Sequence, residues 1–182
     1  MSVVIIDASY YIFYKYYAIH SWWNRAHKDE NIDEPINNNA FVSTFKKTFL
    51  KQIQNIIKKN NIIDPIIYIA KDCPRKNIWR QNQINHYKET RDYSNFKGGP
   101  FFKMVFEENL FEPLNCKLIQ HPYLEADDCA YYVANHYKNT HNVFIIANDH
   151  DYMQIICDKI NVINLQNKNL KDNKNFYNNS KK

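Results

Sequence analysis

A chain of 182 residues, 45% of them hydrophobic, is long enough for one domain with a full core, and its formal charge of +5 suits a polyanionic partner without demanding one. No apolar run approaches the roughly 18–20 residues that span a bilayer, and the opening MSVVIIDASYYIF lacks a basic stretch and is interrupted by Asp7, so neither a membrane segment nor a secretory leader is expected. Cys73, Cys116, Cys129 and Cys157 are too far apart for zinc-ligand pairs and are expected as reduced, mostly buried thiols of an intracellular, non-secreted protein.

In chain order, residues 3–6 (VVII) read as a short buried strand ending at Asp7, and residues 9–27 as an aromatic-rich helix. A polar loop over 28–39 leads to residues 40–60, where Phe41, Phe45, Phe49, Ile53, Ile56 and Ile57 fall at helical spacing and predict one amphipathic helix. IIDPIIYIA (62–70) predicts a strand ending just before Asp72, and residues 76–91 a polar helix. Gly98 and Gly99, the only glycines of the chain, mark a break with Pro100. Helices over 101–112, 124–138 and 151–157 alternate with strands CKLIQ (116–120), VFIIAN (143–148) and INVINL (160–165). Apolar strands without strict alternation, interleaved with helices, predict an α/β fold with a largely parallel sheet covered on both faces. The Asn- and Lys-rich tail over 166–182 is expected to be disordered, leaving a domain over 1–165.

Acidic residues fall where such a sheet places ligands, beyond the carboxyl ends of its strands. Asp7 follows VVII, Asp72 follows IIYIA and Lys71, and Asp149 follows VFIIAN with Asp151 two residues on. Glu125, Asp127 and Asp128 open a predicted helix. Singly, each has an ordinary use: aspartates favour turns and helix starts. Together, carboxylates gathered at one sheet edge repel one another unless a cation intervenes. Hard oxygen donors suit Mg²⁺ or Mn²⁺, and a pair of such ions about 4 Å apart is the usual device for phosphodiester hydrolysis.

Basic and aromatic residues follow Asp72: Arg75, Lys76, Arg80, Lys88 and Arg91, with Trp79 and Tyr87 among them. On a helix, Arg80 and Lys88 are separated by about 80° of rotation and face one groove. Cations interleaved with aromatics suit a single-stranded backbone with stacked bases, although a solvated helix face around a core tryptophan has the same composition.

Four segments, in order, resemble the 5′-nuclease superfamily of flap endonucleases, phage 5′-to-3′ exonucleases and the 5′-nuclease domain of bacterial DNA polymerase I. They are VVIIDASYYIFYKYYA, YIAKDCPRKNIWRQNQINHYKETR, YLEADDCAYYVA and VFIIANDHDYMQI. Trp79-Arg80 and Tyr87-Lys88 keep that family's eight-residue spacing, with the interval from Asp72 one residue longer. The resemblance implies a PIN-like three-layer α/β/α sandwich with a central, mostly parallel sheet. It implies a first metal site from Asp7, Asp72, Glu125, Asp127 and Asp128, with Asp149 and Asp151 between it and a second ion. Arg80 and Lys88 would contact the scissile phosphate, and Tyr87 would stack on a terminal base. Arg75, Lys76 and Arg91 would join them in binding DNA, and residues of about 80–103 would form an arch that a single 5′ strand threads. The family's helix–hairpin–helix-like module, with its further aspartates, has no counterpart here, since Asp158 and Asp172 do not match its motif.

The expected activity is therefore Mg²⁺- or Mn²⁺-dependent hydrolysis of DNA at 5′ ends or flaps, in the setting of replication and repair. Two alternatives stay open. One is a PIN-type ribonuclease; the other is an inactive nucleic-acid-binding remnant that needs a separate partner chain for the missing module.

Overall fold

The computed structural model describes residues 1–28, 32–84, 87 and 95–172. Five strands, β1 (Ser2–Asp7), β2 (Ile66–Ala70), β3 (Lys117–Ile119), β4 (Asn142–Ile146) and β5 (Ile160–Ile163), form one sheet in the order β3-β2-β1-β4-β5. Every pairing is parallel, with Ile6 opposite both Ile69 and Ile146. The sheet therefore sends all five carboxyl ends to one edge. The chain builds outward from β1 to β2 and β3, then returns to lay β4 on the other side of β1. That reversal opens a crevice at the carboxyl ends of the central strands.

Successive strand residues face opposite layers. Val4 and Ile6 of β1 pack with Ile67, Ile69, Ile146 and Ile163 under four helices: α1 (Ala8–Ala26), α2 (Asn39–Thr48), α3 (Lys51–Lys59) and α4 (Gly99–Glu107). Val3 and Ile5 pack with Val143, Ile145 and Val162 against α5 (Ala126–Tyr137). This is the α/β/α sandwich expected, with a fully parallel sheet. Burying both faces explains why the strands read as continuous apolar runs.

Several boundaries differ from the sequence reading. The helix expected over 40–60 is two: Phe49 and Leu50 separate α2 from α3, and the Tyr11 hydroxyl on α1 donates to the Phe49 carbonyl at the break. β2 begins only after Asp64, whose φ of 43° turns the chain ahead of Pro65. The helix expected from 76 appears as two short 3-10 turns, Arg75–Asn77 and Trp79–Asn82, divided at buried Ile78, whose φ of −58° and ψ of 119° leave the helical region. The helix expected at 151–157 is likewise a 3-10 turn, His150–Ile155. The tail is folded through Asp172: Leu170 is buried, and the Asn164 side chain accepts from the Gln166 and Lys168 amides. Residues 173–182 and, within the expected arch, residues 85, 86 and 88–94 lie outside the described residues.

Candidate active site at the carboxyl edge of the sheet

Asp7 ends β1 and caps α1. Its Oδ1 accepts from the Tyr10 amide at 3.0 Å and its Oδ2 from the Tyr152 hydroxyl at 3.0 Å. Burial pushes its pKa from 3.8 up to about 7. The Asp72 and Asp127 charges push the same way, while the two hydrogen bonds pull against them. Burial also raises Tyr152, with the Asp7 charge adding to it, so this phenol stays a donor.

Asp72 stands two residues beyond the end of β2. Its Oδ1 accepts the Ala126 amide at 2.7 Å, and its Oδ2 accepts the Ser9 hydroxyl at 2.5 Å. It thereby ties the start of α5 to the start of α1 across the edge. A groove of about 440 Å³ opens beside it, lined by Ser9, Lys71, Asp72, Phe102, Lys103 and Phe106 among others.

Glu125 and Asp128 form a capping box at the start of α5, and the Asp128 carboxylate accepts from the Glu125 amide at 3.1 Å. Arg80, on the second 3-10 turn, inserts into this cluster. Its Nη1 donates to Asp128 Oδ2 and to Glu125 Oε2, both at 2.8 Å, and its Nη2 to Asp128 Oδ1 at 2.6 Å. Asp127 lies 3.8 Å from Nη2. The Trp79 indole donates to Asp128 at 3.2 Å, and the Tyr87 hydroxyl to Glu125 at 2.8 Å. Burial works against the Arg80 charge, but the Asp128 hydrogen bonds and the Asp127 and Asp128 charges outweigh it and hold the guanidinium protonated. Burial, then the Asp128 charge, raises Asp127.

Asp149 lies three residues beyond the end of β4. It caps the 3-10 turn after β4, its Oδ1 accepting from the Asp151 amide at 3.1 Å, and both aspartates are exposed. Arg75 and Lys76 sit exposed on the turn that leads from Asp72 to Arg80. Lys88 and Arg91 lie outside the described residues.

The carboxylates thus share one sheet edge without converging on one point. Among the described residues, no three His, Cys, Asp or Glu side chains are gathered so as to hold a metal ion. The donor chemistry is that of a hard-cation site, but the arrangement is not: Glu125 and Asp128 turn their oxygens to Arg80. With neither ion nor strand present, Arg80 is engaged with carboxylates and the Tyr87 hydroxyl is tied to Glu125. Ser9 and Tyr152 escaped the sequence reading. Each acts through a hydroxyl whose partner is chosen by the fold, 63 and 145 residues away in sequence.

A family model described as the 5′-3′ exonuclease, N-terminal resolvase-like domain matches residues 2–181. A 5′-3′ exonuclease of Buchnera aphidicola (subspecies Schizaphis graminum) is 28% identical over 164 residues, which is 90% of this chain and 51% of that one. A 5′-3′ exonuclease of Mycoplasmopsis pulmonis is 26% identical over 178 residues, 97% of this chain and 52% of that one. The chain spans about half the length of these relatives. Among solved structures, T5 5′-exonuclease with bound zinc ions superimposes with a TM-score of 0.61 at 16% identity, covering 98% of this chain and 60% of that one. A pseudo-enzyme–product complex of bacteriophage T5 flap endonuclease with DNA and metal ions gives 0.57 at 18% identity, covering 93% and 57%. Fold, order of motifs and family match agree: this chain belongs to the 5′-3′ exonuclease family, as its N-terminal resolvase-like domain.

Proposed function

We propose that this chain hydrolyses DNA phosphodiesters at 5′ ends or flaps with Mg²⁺ or Mn²⁺ as cofactor. The observation that carries the reading is the set of carboxylates at the carboxyl edge of β1 and β2 and the start of α5, joined by Arg80, in a member of this family. The relatives are named 5′-3′ exonucleases, and the T5 enzymes hold divalent ions and, in one case, DNA. Asp7, Asp72, Glu125, Asp127, Asp128, Asp149 and Asp151 are the proposed cation ligands. Arg80 and Lys88 are proposed to neutralise charge on the scissile phosphate. Arg75, Lys76 and Arg91 would follow the backbone, with Tyr87 against a terminal base. The Arg80–carboxylate arrangement has to open before an ion can enter.

The test compares a 5′-flapped DNA duplex with single-stranded RNA, each with Mg²⁺, Mn²⁺ or EDTA. Cleavage of the DNA that needs the ion and falls by roughly a hundredfold or more in Asp149→Ala/Asp151→Ala is the expected result. Preference for RNA would make the chain a ribonuclease instead. Metal-independent DNA binding without cleavage would make it a binding half that needs a further polypeptide.

A further inference from the structure

We infer that Arg80 is a built-in counter-cation of the Glu125–Asp127–Asp128 cluster, and that a divalent ion enters by exchange, driving the guanidinium off the carboxylates. The inference rests on the proposed cation site for the position of the incoming ion.

Several of the lone pairs an ion would need on Glu125 and Asp128 are already in use. Asp128 Oδ2 accepts from Arg80, the Trp79 indole and the Glu125 amide, while Oδ1 takes the second arm of the guanidinium. Glu125 Oε2 accepts from Arg80 and Tyr87. Arg80 also lies 5.0 Å from the Trp79 ring, so its planar group is held by an aromatic as well as by the carboxylate fork. The Glu125 side chain is only 6% exposed and that of Arg80 21%, so water cannot easily stand in for either partner. Removing one member of such a pair leaves an uncompensated charge. Ion entry and Arg80 departure must therefore be one coupled event.

Two consequences follow. First, Arg80 lowers cation affinity in the absence of DNA. Second, a phosphate that draws Arg80 away makes ion entry easier, and by linkage an ion makes phosphate binding easier. The basic group that would contact the scissile phosphate is then also the lock that keeps the ion out until a strand arrives. The resident positive charge also limits the repulsion among the three carboxylates when neither ligand is bound.

Mn²⁺ titration into the whole chain by calorimetry, without DNA, tests this and needs no turnover. Arg80→Met should bind Mn²⁺ roughly tenfold more tightly than the wild type, within the usual range of coupling between two sites. Arg80→Lys, which keeps the charge but loses the fork, should fall between them. In the wild type, a 5′-phosphorylated, phosphorothioate single strand should tighten Mn²⁺ binding, and in Arg80→Met that gain should vanish. Circular dichroism establishes that each variant is folded, and Arg80→Lys decides alone if Arg80→Met is not. Equal or weaker Mn²⁺ binding in folded variants, or no binding in any of them, overturns the exchange. A chain that fails to cleave DNA yet gives tighter binding in the variants would sink the nuclease reading and leave the exchange standing.

Discussion

At the residue scale, Asp7 carries the clearest electrostatic consequence. Its pKa stands at about 7 in the folded chain against 3.8 for the free side chain. A carboxyl raised by folding stabilises the fold while protonated. That contribution is fully present below pH 3.8 and is lost as pH rises through about 7. Asp7→Asn keeps a helix cap and a partner for Tyr152 but cannot ionise. In EDTA it should be more stable than the wild type at pH 8, by on the order of 2 kcal/mol, with the advantage shrinking toward pH 5. Thermal unfolding of both proteins across that range checks it, and a constant difference would show that Asp7 does not titrate there. Asp7 and Asp72 were legible in the sequence because strand ends are visible as apolar runs followed by an acid. Ser9 and Tyr152 were not, because nothing in local spacing says which hydroxyl will meet which carboxylate.

At the element scale, periodicity located the apolar faces and missed the breaks. Phe49 (φ −54°, ψ −51°) and Leu50 (φ −84°, ψ −12°) both stay in the helical region, so the three- and four-residue spacing runs through the junction of α2 and α3 unaltered. The break is set by a donor from another helix, the Tyr11 hydroxyl, which has no signature in the segment itself. The 3-10 turn after β4 had a local cause, since Asp149 accepts the amide two residues on and tightens the first turn. α2 has a start signal that the sequence reading passed over: Asn38 is extended (φ −91°, ψ 105°) and its Oδ1 accepts from the Phe41 amide at 2.9 Å. Asn38→Ala should therefore cost about 1 kcal/mol in urea unfolding, while Asn38→Asp should cost almost nothing. Equal losses in both would mean that the side-chain cap contributes no stability.

At the scale of the whole molecule, fold class and layer order were readable because a parallel sheet buried on both faces leaves an unmistakable alternation of apolar strands and helices. The fate of the segment after Leu165 was not, because its polar composition hides one anchor. Leu170 packs into the α5-side core, and Asn167 accepts from the Asn60 side chain at 2.7 Å, on the far side of the sheet. That anchor bears on how the domain unfolds. The two cores have separate members, yet β1 supplies both, Val4 and Ile6 to one and Val3 and Ile5 to the other. Neither layer can lose its packing without stripping the strand that the other rests on, so both should melt in one transition. Ile53→Val in the α1–α4 layer should cost about 1 kcal/mol and Leu170→Ala in the α5 layer about 2 kcal/mol. The two positions belong to different clusters, so the double variant should lose the sum to within about 0.5 kcal/mol. Urea unfolding followed by tryptophan fluorescence reports chiefly on the α1 layer, where Trp23 is buried, and far-UV circular dichroism reports on the whole chain. Coincident curves in all three variants are expected. A separate early transition in Leu170→Ala would mean that the α5 layer unfolds on its own, and that the shared strand does not couple the two.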